Sequence, residues 1–481
     1  MKNRCRFITL NKTKMNQQLK TSPKESTRVG LLIVGIGGNN GSTLATTMLL
    51  QQQRGIAHER LYGSVSQSGS VSDASGKVHS IKDVTEPILK DLSEFIAVGG
   101  WDVRSDVSTL NDAVHNADVI PLKTQEILSK IPQMSDKTSV MPGVWLASST
   151  FIEKEVREEC VFENNMKAFE KITTDIDNFA ETKNLTSVVV VYSGSTERNI
   201  DPCIVGVNDT VENFLKTLNM PGDQNINSSH LYAFAAASSR ITCCFINGAA
   251  QNTCEIKAIR DKFSEAGRLM VGNDLATGQT VYKKSVGEYL LSRGVPIISN
   301  YSCNALHNHD GFTIANVEQN AVKCASKSNM TKNFERATPS LYKGKNSEQD
   351  ISIKVQIDRL PGVHPDRKRA TDEFIGKLTY EKYYEMYLVS LCPDTQLALG
   401  VMIDLVLSVE MMMRLETQLT CDQACALLCF FIKSPETRYP TSSFFSDERH
   451  LFTSFLLHLC DIEPVHIAYK NILYNSPRSA L

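Results

Sequence analysis

Three apolar runs of strand length, each followed by small or polar residues, constrain the fold of this chain most. The runs are "VGLLIVG" (29–35), "SVVVVYSGST" (187–196) and "RITCCFINGAAQNT" (240–253), and helical patterns such as "VENFLKTLNM" lie between them. Continuous apolar strands that alternate with helices are typical of a parallel sheet covered on both faces. Because the ligands of such sheets bind beyond the carboxyl ends of the strands, the residues after each run are candidate site residues.

A glycine-rich turn, "GIGGNNGST", follows the first run. Its last glycine, Gly41, comes one residue later than the G-x-G-x-x-G dinucleotide motif requires. Backbone N–H groups of such a turn can approach a pyrophosphate in front of a helix N-terminus. We interpret it as a nucleotide-binding turn, and the alternative is a tight β–α turn without a ligand. The candidate cofactor contacts are Gly35, Gly37, Gly38, Asn39, Asn40 and Gly41.

An acidic residue usually holds the adenosine ribose at the end of the second strand of such a site. The sequence offers no convincing candidate, and Asp102 in "GGWDV" is a possible substitute.

Composition limits the classes of function. A length of 481 residues predicts two to four domains, and a net charge of -2 gives no electrostatic reason to expect nucleic acid or a membrane. The basic segment 1–27 is interpreted as a disordered tail, with a mitochondrial targeting peptide as the alternative. The apolar window 397–413 contains Asp404 and Glu410, which favours a buried helix over a membrane span.

The cysteines indicate a reducing compartment, because the 13 of them are scattered and form no CxxC pair. Cys421, Cys425 and Cys429 have helical spacing, and we interpret them as buried thiols rather than a metal site. The pair His307 and His309 is also a weak metal candidate, so no metal site is predicted.

Lysines and aspartates provide the candidate catalytic groups. Lys323 and Lys327 lie four apart and would project from one helix face, Lys368 follows Asp366, and Lys433 ends an apolar run. Several lysines in one pocket would suit a phosphorylated substrate and a developing oxyanion, although a single lysine is usually a surface charge. Three aspartates follow strand-like runs, where helix capping is the alternative role. They are Asp274, Asp310 and Asp394.

Eleven motifs in one order resemble the myo-inositol-1-phosphate synthase family over about residues 29 to 440. They are "GIGGNNGST", "YGSVSQSGSV", "GGWDV", "YSGSTER", "NGAAQNT", "GNDLATGQT", "NALHNHDG", "VKCASKS", "PDRKRATDE", "CPDTQLA" and "FFIKSPETR". The resemblance implies an α/β fold with a Rossmann-type NAD-binding domain at 28–280, completed by the C-terminal helical segment 398–481. It places an inserted α+β catalytic and oligomerisation domain at 281–397. Independently of the resemblance, the pattern of polar and apolar residues changes near positions 280 and 397.

The resemblance also implies the chemistry. The family converts D-glucose 6-phosphate to 1D-myo-inositol 3-phosphate in the first step of inositol biosynthesis. NAD takes hydride from C5, enolisation makes C6 a nucleophile, an intramolecular aldol step closes the ring, and hydride returns to C5. By resemblance, Lys323 and Lys368 stabilise charge at the reacting oxygens, while Lys327 and Lys433 hold phosphate or shuttle protons.

Further residues carry over as candidates. Asp274 and Asp310 would help to place the cofactor, the lysines and any bound cation, for which ammonium and potassium are the candidates. The remaining candidate cofactor contacts are Asp102, Ser193, Gly194, Ser195, Thr196, Gly248, Ala249, Thr277, Asn308, Asp366, Asp394 and Thr395.

The chain departs from the family pattern at Asn273, Ala276, the "HNHD" loop and residues 192–195, and we expect these changes to affect the nicotinamide end of the site. Two alternatives to a synthase remain: a weakened NAD-binding paralogue that associates with an active synthase, and a sugar-phosphate dehydrogenase. The resemblance further implies a cytoplasmic homotetramer without a nucleic-acid or membrane partner.

Overall fold

The computed structural model describes residues 28–52, 69–89, 94–146, 155–220, 224–306, 310–342, 351–359, 366–415, 418–442, 444–466 and 468–474. The strands are β1 (Val29–Val34), β2 (Ser70–Ser72), β3 (Val78–Ser80), β4 (Phe95–Asp102), β5 (Val140–Pro142), β6 (Ser187–Tyr192), β7 (Thr242–Asn247), β8 (Met270–Val271), β9 (Ile297–Leu306), β10 (Ser352–Arg359), β11 (Arg367–Lys377) and β12 (Tyr383–Pro393). The first eight helices are α1 (Asn39–Gln52), α2 (Ile81–Thr85), α3 (Leu110–Ala117), α4 (Leu122–Leu128), α5 (Asn165–Thr182), α6 (Val211–Leu218), α7 (Ser228–Ser238) and α8 (Lys257–Glu265). They are followed by α9 (Gln279–Ser292), α10 (Asp310–Thr313), α11 (Val317–Ala337), α12 (Pro339–Tyr342), α13 (Asp394–Arg414), α14 (Cys421–Leu427), α15 (Phe445–Leu459) and α16 (Ala468–Tyr474).

The first sheet is parallel throughout, with strand order β5-β4-β1-β6-β7-β8. This is the order of a Rossmann dinucleotide-binding fold, in which the chain reverses its direction of growth between the two central strands, here β1 and β6. Every residue of β1 and β6 is buried, which explains why both sequences are continuously apolar. The α/β fold predicted from the sequence is therefore confirmed.

Helices cover both faces of this sheet, and alternate residues of β1 belong to different cores. Leu31 and Ile33 pack in a cluster with α1 and the C-terminal helices, whereas Leu32 and Val34 pack in a cluster with α5 and α7. The C-terminal segment thus completes the core of the first sheet. The exact domain boundaries stay a prediction.

A second sheet has the order β10-β9-β11-β12, with β9 and β10 parallel and the other pairs antiparallel. Buried residues alternate along β11, and α9 and α11 lie against this sheet. One face is therefore covered, as the alternation in the sequence predicts. The polar stretch from 326 begins within α11, which extends to Ala337.

The apolar window 397–413 lies within α13, which is long and apolar enough to cross a membrane by length and composition alone. Most of its apolar window is buried inside the protein, where it packs with β1 and α1. The three cysteines of the predicted stripe do not share one helix, because α14 ends at Leu427 and Cys429 begins a 3-10 turn. Within the described ranges, no three His, Cys, Asp or Glu side chains are grouped as a metal site.

Close packing at the centre of the first sheet leads to a stability prediction. A Cβ atom on Gly100 of β4 would lie 2.0 Å from the carbonyl oxygen of Ile33 in β1, and relief would require the paired backbones of two central strands to shift. We expect Gly100→Ala to lower the free energy of unfolding by about 1–3 kcal/mol or more.

The matched control is Gly99→Ala in the same strand, where a Cβ would meet the ring of Phe179 at 3.2 Å. Because a side chain can shift, this variant should lose less stability. Equal thermal unfolding midpoints for the two variants would contradict this account of the sheet.

Candidate active site

The glycine turn joins β1 to α1 and is built around two close backbone contacts. Gly35 has a φ of +77°, and a Cβ there would lie 2.9 Å from the Cα of Gly194, which follows β6. A Cβ on Gly41 would lie 2.3 Å from the carbonyl oxygen of Gly35. The late glycine is therefore needed for the first turn of α1 to pack on the loop, which explains the spacing that departs from the usual motif.

Asn39 and Asn40, expected in the loop, belong to the first turn of α1. The side-chain nitrogen of Asn39 is buried and has no hydrogen-bond partner in the described part of the chain. Gly35 and Gly38 have no side chains to keep a ligand away from the turn, and together with them this unpaired donor fits a phosphate group at the helix N-terminus. The residues present thus suit the pyrophosphate of a dinucleotide.

Asp102 lies at the end of β4, the strand next to β1, which is where a ribose-binding acid is expected. Its carboxylate already accepts hydrogen bonds from the Gly37 N–H at 2.9 Å and from Arg104 Nε and Nη2 at 2.9 and 3.0 Å. Burial alone would lower the pKa of Arg104, but Asp102 raises it above its ordinary value. Asp102 therefore holds the glycine loop in place, in addition to any contact with a ribose.

A single cavity runs from the glycine turn, along the ends of β6 and β7, to the lysines of the second sheet. Nineteen of the predicted site residues line it: Gly35, Gly38, Asn39, Asn40, Asp102, Ser193, Gly194, Ser195, Thr196, Gly248, Ala249, Asp274, Thr277, Lys323, Lys327, Lys368, Asp394, Thr395 and Lys433. Residues more than two hundred positions apart in the sequence are thus brought to one site.

Three further candidates, Gly37, Gly41 and Asp366, lie outside the lining of the cavity. Gly37 and Gly41 are buried behind the loop surface, and Asp366 supports the site from behind, because its Oδ1 accepts the Thr395 N–H at 2.9 Å. Asp310 begins α10, whose last residue, Thr313, lines the cavity. Asn308 is outside the described residues.

Two of the lysines are paired with carboxylates. Lys368 on β11 contacts Asp394 at the start of α13 at 2.9 Å, and Lys433 contacts Asp274 at 2.9 Å. Burial alone would raise the pKa of Asp394, but Lys368 and the neighbouring lysines hold it below its usual range. Burial would also raise the pKa of Asp274, but Lys433 and the hydroxyl of Ser326 hold it below its usual range. Both aspartates are therefore ionised partners of ammonium groups.

Lys327 is different, because in the described part of the chain its hydrogen bonds go to neutral amides. It donates to Asn304 Oδ1 at 3.1 Å and to Gln279 Oε1 at 3.5 Å. Burial, followed by Lys368, Lys433 and Lys283, holds the pKa of Lys327 well below its usual range. An amine in this position can be neutral and accept a proton at a pH where its neighbours stay charged.

Several cavity or supporting residues were missed by the sequence analysis. Glu197 and Tyr232 line the cavity, and Glu197 accepts the N–H groups of Ser228 and Ser229 at the start of α7. Lys283 and Gln279 lie beside Lys327 on α9. Their spacing of four residues was visible in "QTVYK", but a polar helix start gave no sign that either side chain is buried.

The departures from the family pattern differ in position. Residues 192–195 line the cavity, as expected, but Asn273 and Ala276 are buried outside its lining. Asn273 Oδ1 accepts from Asn247 Nδ2 at 2.8 Å and from the Cys254 N–H at 3.0 Å. The expectation that Asn273 and Ala276 line the nicotinamide end is wrong, because both pack into the protein behind it. His307 and His309 lie outside the described residues.

A family model for myo-inositol-1-phosphate synthase matches residues 29–453. The chain belongs to this family. It is 30% identical over 428 residues to inositol-3-phosphate synthase 1-A of Xenopus laevis, covering 85% of this chain and 73% of the relative. It is 31% identical over 433 residues to inositol-3-phosphate synthase 1 of Homo sapiens, covering 85% and 74%. Membership in this NAD-binding family bears out the predicted cofactor.

The fold is also that of a solved relative. An inositol-3-phosphate synthase from Caenorhabditis elegans superimposes with a TM-score of 0.78 at 24% identity, covering 91% of this chain and 87% of that chain. At this identity the likeness shows the fold alone.

The close approach of Gly35 to Gly194 leads to a binding prediction. A side chain at Gly35 meets both a positive φ and a backbone atom at 2.9 Å, so the pyrophosphate turn must distort. We expect Gly35→Ala to weaken NAD+ binding, measured by calorimetry, by about tenfold or more.

Gly76→Ala is the matched control, because Gly76 has a φ of +84° with no atom within 4 Å of its Cβ position. It carries the same backbone strain without the clash, so NAD+ affinity should be unchanged. Equal losses in both variants would refute the assignment of this turn to the cofactor.

Proposed function

We propose that the protein is an inositol-3-phosphate synthase that converts D-glucose 6-phosphate to 1D-myo-inositol 3-phosphate. The observation that carries the proposal is one cavity that joins a dinucleotide turn to four lysines. A dehydrogenase that releases its reduced cofactor has no need for so many cations beside the reacting carbon atoms. A reaction with an enolate, an aldol oxyanion and a phosphate has such a need at each step.

When bound, NAD+ supplies the hydride acceptor for C5 of the sugar and returns the hydride after ring closure. The turn at Gly35 and Gly38, with Asn39, would hold its pyrophosphate at the N-terminus of α1. Residues 193–196 and Gly248, at the ends of β6 and β7, would face the reacting end of the cofactor. This orientation follows from the strand order, since such ligands lie across the carboxyl ends of the central strands.

The protonated lysines would stabilise negative charge. Lys323 and Lys368 would neutralise the C5 oxygen during enolisation and the C1 oxygen during ring closure, and Lys433 would hold the phosphate. The pairs with Asp394 and Asp274 fix two of these ammonium groups in position before the substrate binds. Preorganised charge of this kind stabilises a transition state without reorganisation at the moment of reaction.

Lys327 would carry the proton. Its lowered pKa makes it the best general base in the cavity for removal of a proton from C6. The resulting ammonium could then return a proton to the C1 oxygen after the aldol step. Since the neutral amine is the active form, turnover should rise as the pH increases through the pKa of Lys327.

The test is to incubate pure protein with glucose 6-phosphate and NAD+, and to measure inositol phosphate and NADH together. We expect inositol phosphate without net NADH, because the hydride is returned. Net NADH would instead indicate a sugar-phosphate dehydrogenase. Formation of neither product under any cation condition would indicate the non-catalytic paralogue.

Lys323→Ala should lower kcat by at least about 100-fold, because an oxyanion partner is removed, while NAD+ still binds. The control is Lys216→Ala on α6, an exposed lysine that forms an ion pair with Glu212 of the same helix. If Lys323→Ala keeps full activity, its proposed role is wrong.

We further propose that the protein acts in the cytoplasm as a homotetramer. In support, β12 is an edge strand of the second sheet and exposes the large side chains of Tyr387, Val389 and Leu391. A row of exposed apolar residues beside unpaired strand edges is typical of an interface between subunits.

Light scattering after gel filtration tests this assembly. Val389→Asp combined with Leu391→Asp should convert tetramers to smaller species, because charge is buried in the contact. Val205→Asp, at a position that is 85% exposed and remote in sequence, is the control. A wild-type protein that is monomeric at micromolar concentration would contradict the proposal.

A further inference from the structure

A buried polar network lies beneath the lysines, on the covered face of the second sheet. At its centre is Asp372 of β11, which is fully buried and paired across the sheet with Ser302 of β9. Its Oδ1 faces Lys283 Nζ at 3.1 Å and accepts from Ser302 Oγ, and its Oδ2 accepts from Gln279 Nε2 and Tyr282 OH, each at 2.6 Å. Four donors on one carboxylate make a site with no spare acceptor capacity.

This arrangement determines which way the amide of Gln279 faces. An ionised carboxylate only accepts hydrogen bonds, so the Gln279 nitrogen must point at Asp372. The amide oxygen is then forced to the opposite side, where Lys327 Nζ lies. Because Gln279 is buried, water does not compete for either end of the amide. The side chain of Gln279 thereby connects Asp372 to Lys327 by two hydrogen bonds.

Two amide oxygens determine the direction in which the lone pair of a neutral Lys327 amine points. A neutral amine has two N–H bonds and one lone pair, and Asn304 Oδ1 and Gln279 Oε1 are placed to accept both N–H bonds. The lone pair is left for the cavity that Lys327 lines. We propose that the buried Asp372–Lys283 pair is a positioning unit that holds Gln279 in this orientation, and so aims the amine of Lys327 at the substrate. This inference rests on the proposed synthase reaction.

Lys283 also affects Lys327 electrostatically, because it neutralises the charge of Asp372. Its ammonium is 2% exposed and neutralises Asp372, which would otherwise place an uncompensated negative charge near Lys327. Burial, and then the charges of Lys433 and Lys368, lower the pKa of Lys283, whereas Asp372 acts to raise it. The charged groups that act on Lys327 come from five parts of the chain. They are Lys283 on α9, Lys368 on β11, Asp394 on α13, Lys433 after α14, and Asp274 after β8.

Two substitutions separate this unit from a merely structural role, because they should move the acidic limb of the kcat–pH profile in opposite directions. Asp372→Asn no longer fixes the orientation of the Gln279 amide, because an asparagine side chain can donate as well as accept, and it leaves the charge of Lys283 uncompensated. Both effects disfavour the ammonium form of Lys327, so the limb should move to lower pH. With the amine no longer aimed, kcat should fall by about 10- to 100-fold, while KM and NAD+ affinity change little.

Lys283→Met instead leaves Asp372 as an unpaired carboxylate. The negative charge favours the ammonium form of Lys327, so the limb should move to higher pH by about one unit or more. The double variant carries neither charge, so its limb should return towards the wild-type position. Its kcat should stay low, because Gln279 is still released.

Lys284→Met is the matched control. Lys284 is the next residue, equally buried, and pairs with Glu448 of α15 instead of Asp372. Removing it breaks a buried ion pair at similar cost to stability, but it should leave the limb unchanged.

The pKa of Lys327 can also be measured without turnover, by competitive trace acetylation at a series of pH values followed by mass spectrometry. This measurement tests the positioning unit even if the wild-type protein makes no inositol phosphate, in which case only the proposed function fails. Unchanged Lys327 pKa values in both single variants, or shifts in the same direction, would overturn the inference.

Discussion

The mutual repulsion of lysines held in one cavity is the constraint on which the rest of the site depends. Lys368 and Lys433 are close enough to Lys327 to lower its pKa, and all three lysines line the same cavity. Two arrangements in the protein reduce this repulsion. Asp394 and Asp274 each form an ion pair with one of the lysines, while Lys327 donates to two amide oxygens and has a lowered pKa. Under the proposed function, this arrangement divides anion binding and proton transfer between different lysines.

The ion pair between Asp274 and Lys433 joins two parts of the chain whose contact the sequence does not predict. Asp274 follows β8 of the first sheet, and Lys433 comes from the C-terminal segment, so the pair joins parts of the chain 159 residues apart. The backbone strengthens this junction, because the Lys433 N–H donates to the carbonyl of Asp274 at 3.0 Å. Sequence motifs could identify both residues as functional, but only the closed fold shows that they face each other.

What the sequence could predict follows from local physical rules. Continuous apolar runs predicted the parallel sheet, and the glycine turn predicted a dinucleotide site, since both depend on neighbouring residues. Lys283 and Asp372 were not predicted, because charged residues are assumed to be exposed unless their partner is known. The one available signal was the alternation of polar residues along β9, where Asn300, Ser302 and Asn304 occupy buried positions. An alternation of that kind is usually taken to mark the solvent face of a strand, and here it marks the covered one.

The departures from the family pattern can now be weighed by position. Asn273 makes hydrogen bonds to Asn247, Cys254 and Glu255 behind the cavity, so its amide serves a packed junction rather than the reacting centre. Its side-chain oxygen accepts two donors and its nitrogen donates to a carboxylate, a combination that an ionised aspartate could not provide. Burial and Glu436 together raise the pKa of Glu255 to about 6, so a second negative charge beside it would be costly. The substitution at Asn273 therefore relieves charge in a buried acidic neighbourhood behind the cavity.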